Sequence, residues 1–300
     1  MARVTIGVPV YNGADLLPAS LECLRTQSFE DIQVLIGDNA STDATGDIAS
    51  DFAARDPRFV HVRRPENLGV MGNFRDLSRR AQSPLFCWRA HDDASSSDYV
   101  ERLVALFDAD PNVRLAVSKV VTEDDVRRRA MVHRYPKLWA RPRIAGVLRH
   151  LFGVHASWIY GVWDRETLVT IQDRVAEHYR HLGGWDDLAM FPLMLDGQVA
   201  GTNGATFTQR VFRAHLQKAD LSNRRPTVAD LRRLRSDFRA FCQQEIAERE
   251  WSSLERHLLD WTLDRYVDRR GYSRRKLRRR ATREGEGEFT GKTLLPDDTG

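Results

Sequence analysis

The chain has 300 residues, 42% of them hydrophobic, enough for one substantial core with an appendage rather than two equal domains. Its formal charge of +4 is local: the segment 264–283 holds ten Arg or Lys against two Asp, and without it 36 basic residues face 40 acidic ones. The high pI therefore belongs to one C-terminal patch, and the rest is an ordinary, slightly acidic globular chain. Cys23, Cys87 and Cys242 are odd in number, widely spaced and set among apolar residues, a pattern that supports neither a disulfide framework nor a CxxC metal site. The N-terminus lacks the apolar run of a signal peptide, and no stretch approaches the ~18 uninterrupted apolar residues of a membrane span. These features lead us to expect a soluble, cytoplasmic protein in a reducing compartment.

Along the first 120 residues, short β-rich apolar runs alternate with helical patterns. Strands are expected at Val4–Val10, 34–37, 59–62, Leu85–Trp88 and 113–121. Between them, Leu16, Leu17, Leu21 and Leu24 recur at helical spacing, as do Ile48 and Phe52, Phe74 and Leu77, and Val100, Leu103, Val104 and Phe107. Strands separated by single helices imply right-handed βαβ crossovers, hence an α/β fold with a doubly wound, mainly parallel sheet. Ligands of such sheets bind beyond the carboxyl ends of the strands. Further along, a strand is expected at 158–162, a helix at Trp185–Leu195 and a β-like run at 205–212. From Val228, the spacing of Leu231, Leu234, Phe238, Phe241, Ile246, Leu254, Leu258 and Trp261 predicts one or two amphipathic helices. The arginine-rich segment follows, and the polar stretch 285–300 is expected to be disordered.

Polar residues cluster after the expected strands. His91-Asp92-Asp93 follows an apolar strand; adjacent carboxylates there suit Mg²⁺ or Mn²⁺ with positions left open for phosphate oxygens. The same acids also suit the first turn of a helix, where they complement the dipole, and the residues alone leave both readings open. In Asp38-Asn39-Ala40-Ser41-Thr42-Asp43, helix capping accounts for Ser41 to Asp43 but not for Asp38. A carboxylate ending the run Val34-Leu35-Ile36-Gly37 needs a polar partner, and a nucleobase N–H is one candidate. No GxGxxG and no GxxxxGK[ST] occurs, which disfavours a Rossmann dehydrogenase and a P-loop NTPase. A phosphorylated ligand would then be neutralised by a metal or by arginines.

Taken in order, Thr5-Ile6-Gly7-Val8-Pro9-Val10-Tyr11-Asn12, Asp38 to Asp43, Asn67-Leu68-Gly69 with Asn73, and Ala90-His91-Asp92-Asp93 resemble the inverting family 2 glycosyltransferases of the GT-A fold, over roughly the first 110 residues. The resemblance implies a GT-A-like sheet with helices on both faces, followed by a C-terminal helical, arginine-rich extension. It divides the chain into a glycosyltransferase domain at 1–216, with a nucleotide-sugar half at 1–120 and an acceptor half at 121–216, a basic helical extension at 217–284 and the tail at 285–300. It also implies a nucleotide-diphosphate sugar as donor, Mn²⁺ or Mg²⁺ as cofactor, and a saccharide, lipid-linked or small-molecule acceptor. Pro9, Tyr11, Asn12 and Asn67 would line the nucleotide pocket, Asp38 would accept from the base, and Asp93 would be the principal metal ligand with Asp92 beside it. The family's usual Asp-x-Asp-Asp has lost its first acid to Ala90, which puts the ribose contact in doubt. Trp185-Asp186-Asp187 resembles the family's Glu-Asp motif with Trp185 in place of the Glu, which implies Asp186 as general base, with Asp187 one register away. Arg213-Ala214-His215 resembles its Arg-x-His element, with Arg213 toward the diphosphate and His215 toward the metal.

Two other functions stay in view. A noncatalytic sugar-nucleotide-binding scaffold in a glycan assembly complex would also tolerate the two lost acids. A nucleotidyltransferase is disfavoured by the lack of a glycine-rich, basic N-terminal loop. The arginine-rich segment 265–283 suits peripheral contact with an anionic membrane or a solvated helix paired with acids such as Asp264 and Asp268. Nucleic-acid binding ranks well behind both, and oligomerisation is left open.

Overall fold

The structure, a computed structural model, describes residues 1–136, 143–212, 226–270 and 273–284. At its centre Val4–Val10 (β1) is buried along its whole length, as expected of a β-branched strand with apolar side chains on both faces. It pairs in parallel with β2 (Ile32–Asp38) on one side and β4 (Leu85–Trp88) on the other, and β3 (Phe59–Arg63) extends the sheet beyond β2. The connections are α1 (Leu17–Arg25), α2 (Thr45–Arg55) and α3 (Gly69–Arg80), each in place of a pattern expected from spacing.

The sheet continues through β5 (Ala94–Ser95), α4 (Tyr99–Ala109), β6 (Leu115–Asp124), β7 (Arg129–His133), β8 (Val162–Asp164) and β9 (Val199–Val211). Among the described residues it has nine strands in the order β3-β2-β1-β4-β8-β6-β9-β5, with β7 on β6. The long ladders, β1 with β2 and β6 with β9, are parallel, and the antiparallel ones are shorter. The sheet is thus mixed and mostly parallel, in an α/β fold. Trp158 lies in a 3-10 turn, Ala156–Tyr160, and the expected strand begins only at Val162. Burial of the Trp158 ring against Tyr135, at 5.4 Å between centroids, takes precedence over its strand propensity. The two-residue β5 and the five-residue hairpin strand β7 carry no alternating apolar period, and neither was legible in the pattern.

Contacts group the chain into two units. The first, drawn from Met1–Tyr135, Ser157–Thr170 and Gln198–Arg213, contains the sheet. The second, drawn from Pro136–Ala156, Ile171–Gly197 and Ala214–Gly300, is helical over its described residues, with α5 (Arg143–Gly153), the end of α6 (Arg165–His178), α7 (Trp185–Leu195), α8 (Val228–Ala247), α9 (Ser253–Arg270) and α10 (Arg274–Glu284). A helix apolar on all sides has to be covered on all sides: α7 buries every residue but Asp186, against α5 and α8, while α9 packs on α5 and α8. Glu245 of α8, 1% exposed, is neutralised by Arg174 at 2.6 Å and Arg249 at 2.9 Å. Arg249 also reaches Asp196 at the end of α7, 2.6 Å away. No helix among the described residues is long and apolar enough to cross a membrane. The stretch 285–300, expected to be disordered, lies outside the described residues.

Candidate active site

In the first unit, the loops that follow β1, β2 and β4 meet at the carboxyl ends of these parallel strands. After β1, Asn12 adopts a left-handed φ of 50°, which asparagine tolerates. Its backbone N–H donates to Ser41 Oγ at 3.0 Å, and its Oδ1 accepts from the Thr42 N–H at 2.8 Å. Gly13 N–H donates to Thr45 Oγ1 at 3.0 Å. These bonds join the β1 loop to the β2 loop. The β4 loop joins them through His91, whose ring lies where a side chain at residue 13 would be: a Cβ there would come within 2.5 Å of His91 Cδ2, so a larger residue at 13 would have to displace that ring.

Asp38 ends β2 with its side chain fully buried. Its Oδ1 accepts from the Ser41 N–H at 2.8 Å, and Oδ2 pairs with Arg63 Nη1 at 2.9 Å and faces His61 Nε2 at 3.6 Å. Both oxygens of the residue expected to meet a nucleobase are thus engaged by the protein itself. Asn39, 3% exposed, secures the next turn: its Oδ1 accepts from Leu68 N–H at 2.9 Å, while Nδ2 donates to Asn67 Oδ1 at 2.8 Å and to Gly69 O at 3.1 Å. Of the residues expected to line the nucleotide pocket, Tyr11 is 47% exposed and Asn67 is exposed in its turn, whereas Pro9 is buried within β1 opposite Gly37. Arg63 escaped the sequence reading, and Asn39 was quoted in its motif without a role. The register that sets Arg63 opposite Asp38 is the signal that could have revealed the first.

Asp92 is half-buried and Asp93 buried, and Asp93 Oδ1 accepts from the Arg210 N–H of β9 at 2.9 Å. Burial first, and the neighbouring Asp92 charge second, push the Asp93 carboxyl up to about 7. Ala90, in place of the missing acid, contributes only its carbonyl, which accepts from Ser20 Oγ at 3.1 Å. Beneath the loop lies Arg89, 1% exposed, its guanidinium 5.3 Å from the Tyr99 ring and 5.1 Å from Phe207, donating to Ser95 Oγ at 2.8 Å. Two adjacent carboxylates are the hard donors that Mg²⁺ or Mn²⁺ takes, completed by water and phosphate oxygens rather than by a closed cage. Among the described residues no group of three or more His, Cys, Asp or Glu gathers to hold an ion, and the donor set fits such an open site. Arg213 and His215 lie outside the described residues.

In the second unit, Asp186 and Asp187 stand on the first turn of α7. Gly184 precedes the helix at φ 87°, and a Cβ there would lie 3.0 Å from the Phe238 ring. Asp186 is half-buried, and burial together with the Asp187 charge pushes it up to about 7. Asp187 is 6% exposed; burial raises its carboxyl to about 6, opposed by the Arg270 charge.

The sequence profile of Glycosyl transferase family 2 matches residues 5–160, more than half of the chain and all of the strand-end loops just described. The chain belongs to glycosyl transferase family 2. Curated relatives match this family 2 chain over its N-terminal portion: glycosyltransferase GlyA of Streptococcus pneumoniae is 30% identical over 101 residues, 34% of this chain and 14% of GlyA. The putative glycosyltransferase EpsH of Bacillus subtilis is 32% identical over 101 residues, 34% of this chain and 29% of EpsH. The matched region thus spans less than a third of either relative. Among solved structures, S. aureus TarS 1–349 in complex with UDP superposes with a TM-score of 0.63 at 14% identity, covering 92% of this chain and 73% of TarS. Mannosyltransferase PcManGT from Pyrobaculum calidifontis, in complex with GDP-Man and Mn²⁺, gives a TM-score of 0.51 at 18% identity, covering 94% and 86%. The family 2 chain therefore has a GT-A-like fold.

Proposed function

We propose that this family 2 chain transfers a sugar, with inversion, from a nucleotide-diphosphate sugar to an acceptor hydroxyl in bacterial glycan, lipid-linked saccharide or natural-product synthesis. The observation that carries this reading is the hydrogen-bonded assembly of the β1, β2 and 67–69 loops, closed by His91 against Gly13, at the strand ends where ligands of parallel sheets bind. UDP and GDP-Man in two proteins of similar fold support a nucleotide-sugar donor.

In the reaction, Asp186 accepts the proton of the attacking hydroxyl. Its raised carboxyl matches this role, since a base is most useful when its pKa lies near the working pH. Asp186 is also the more accessible acid of its pair, which supports it over Asp187. The leaving nucleoside diphosphate is already a good leaving group, so it needs charge neutralisation more than protonation. Asp93 and Asp92 would hold Mn²⁺ or Mg²⁺, which when bound supplies that neutralisation. Tyr11, Asn12 and Asn67 are the proposed nucleotide contacts. Arg213 and His215 are proposed at the diphosphate and metal from the motif alone.

Release of UDP from UDP-sugars and of GDP from GDP-sugars, with Mn²⁺ and with EDTA, tests this reading. We expect slow donor hydrolysis with at least one donor, and its loss in Asp93→Ala. Tight nucleotide binding with no release from any donor would favour the scaffold, the reading that Ala90 and Trp185 keep in view. Peripheral contact with an anionic membrane is part of the proposal. Leu254 and Trp261 are exposed on α9, 69% and 58%, and Arg265 stacks 3.5 Å over the Trp261 ring. That surface combines apolar anchors with positive charge.

A further inference from the structure

Asp187 takes no part in the chemistry above, yet it is the more buried of the two acids by exposure and the one that faces an arginine. Its Oδ1 lies 3.7 Å from Arg270 Nε, at the C-terminal end of α9, and neither atom has a hydrogen-bond partner among the described residues. One turn earlier on α9, Tyr266 Oη donates to the Asp187 carbonyl at 3.5 Å, its ring packed 5.3 Å from Phe191 and 5.9 Å from Phe238. From α8, the buried Cys242 is near enough to Asp187 for the carboxylate charge to raise its thiol further, while the Glu245 charge is taken up by Arg174 and Arg249. Among the described residues, Arg270 is the counter-charge that faces Asp187.

We propose that Arg270 is a positioning residue for sugar transfer: from α9 it holds Asp187 as an anion, and through that charge it sets the basicity of Asp186. The inference rests on Asp186 being the proton acceptor. A buried carboxylate deprived of its counter-charge takes up a proton. Asp186 would then lose the like charge beside it and become a weaker base, so the C-terminal helix would tune chemistry it does not touch.

Carboxyl ¹³C NMR titration of the full chain labelled at aspartate, with Asp186 assigned from the Asp186→Asn spectrum, tests this. In the wild type Asp186 should titrate near pH 7. In Arg270→Met its midpoint should fall by about one pH unit or more, Arg270→Lys should restore it, and Tyr266→Phe, which keeps the charge, should leave it unmoved. A purely packing role for Arg270 would change the melting temperature and not this midpoint. Should Arg270→Met fail to fold, Asp187→Asn removes the anion directly and should give the same fall. An Asp186 midpoint equal to wild type in Asp187→Asn, or in a folded Arg270→Met, overturns the proposal. Donor and acceptor kinetics separate this from the reading beneath it. Normal transfer by Asp186→Asn overturns Asp186 as base, whereas Arg270→Met should shift the rise of kcat with pH to lower pH by the same amount as the Asp186 midpoint, with donor KM unchanged.

Discussion

Asp186 and Asp187 are neighbours in sequence, yet among the described residues only Asp187 is paired with an arginine. If Asp186 is the base, Asp186→Asn should lower transfer by about 10²–10⁴-fold, with donor affinity unchanged, and Asp187→Asn should lower it less. Steady-state kinetics checks both, and the reverse order would move the base by one position. Only the ionised carboxylate accepts a proton, so the rate should climb as pH rises through about 7. A folded-state pKa above the unfolded value means that burial costs stability once pH exceeds it. Asp186→Asn should therefore melt no lower than wild type at pH 8. Ala40 offers a second test at this scale, with φ at 61° between Asn39 and Ser41. The left-handed region costs an L-residue roughly 1–2 kcal/mol, so Ala40→Gly should stabilise by about 0.5–1 kcal/mol, measured as a higher denaturant midpoint.

At the scale of elements, the strand ends and their loops form one hydrogen-bonded assembly, and its weak point is the buried carboxylate of Asp38. Arg63, whose side chain is 54% exposed, is its charged partner at hydrogen-bond distance. Arg63→Ala should cost about 1–3 kcal/mol by leaving that carboxylate short of a partner, and Arg63→Lys should recover part of it; denaturant unfolding measures both. The elements β1 to β4 and α1 to α4 were legible because strand burial and helix amphipathicity write distinct periods into the sequence. The turn at Trp158, the two-residue β5 and the hairpin strand β7 carry no such period, since ring packing and edge pairing place them.

For the whole molecule, a nucleoside diphosphate at ~100 times its dissociation constant should add ~2.7 kcal/mol of stability. The gain should be larger with Mn²⁺ if Asp93 and Asp92 hold the ion. Thermal shift with UDP or GDP, with Mn²⁺ and with EDTA, measures it, and Asp93→Ala should abolish the metal increment alone. The arginine-rich segment is less free than its charge suggests. Arg269 donates to Phe152 O at 2.7 Å, Arg274 pairs with Asp264 at 2.8 Å, and Arg280 donates to Pro226 O at 2.6 Å. Deleting 265–300 would also remove Tyr266 and Arg270, so membrane contact is better tested with Trp261→Ala and with glutamate at Arg275, Lys276 and Arg279. Their binding to anionic liposomes should weaken, and that of the wild type should fall with salt, because exposed charges are screened beyond ~8 Å at physiological ionic strength. The sequence alone determined the α/β class, the positions of the first strands and the family, because apolar period and local motifs are properties of neighbouring residues. Only the tertiary structure decided that Asp38 is held by Arg63, that Asn39 secures the 67–69 turn and that Arg270 faces Asp187. Those partners lie 25 or more residues apart, and a charge is neutralised by whatever the fold brings within a few ångströms.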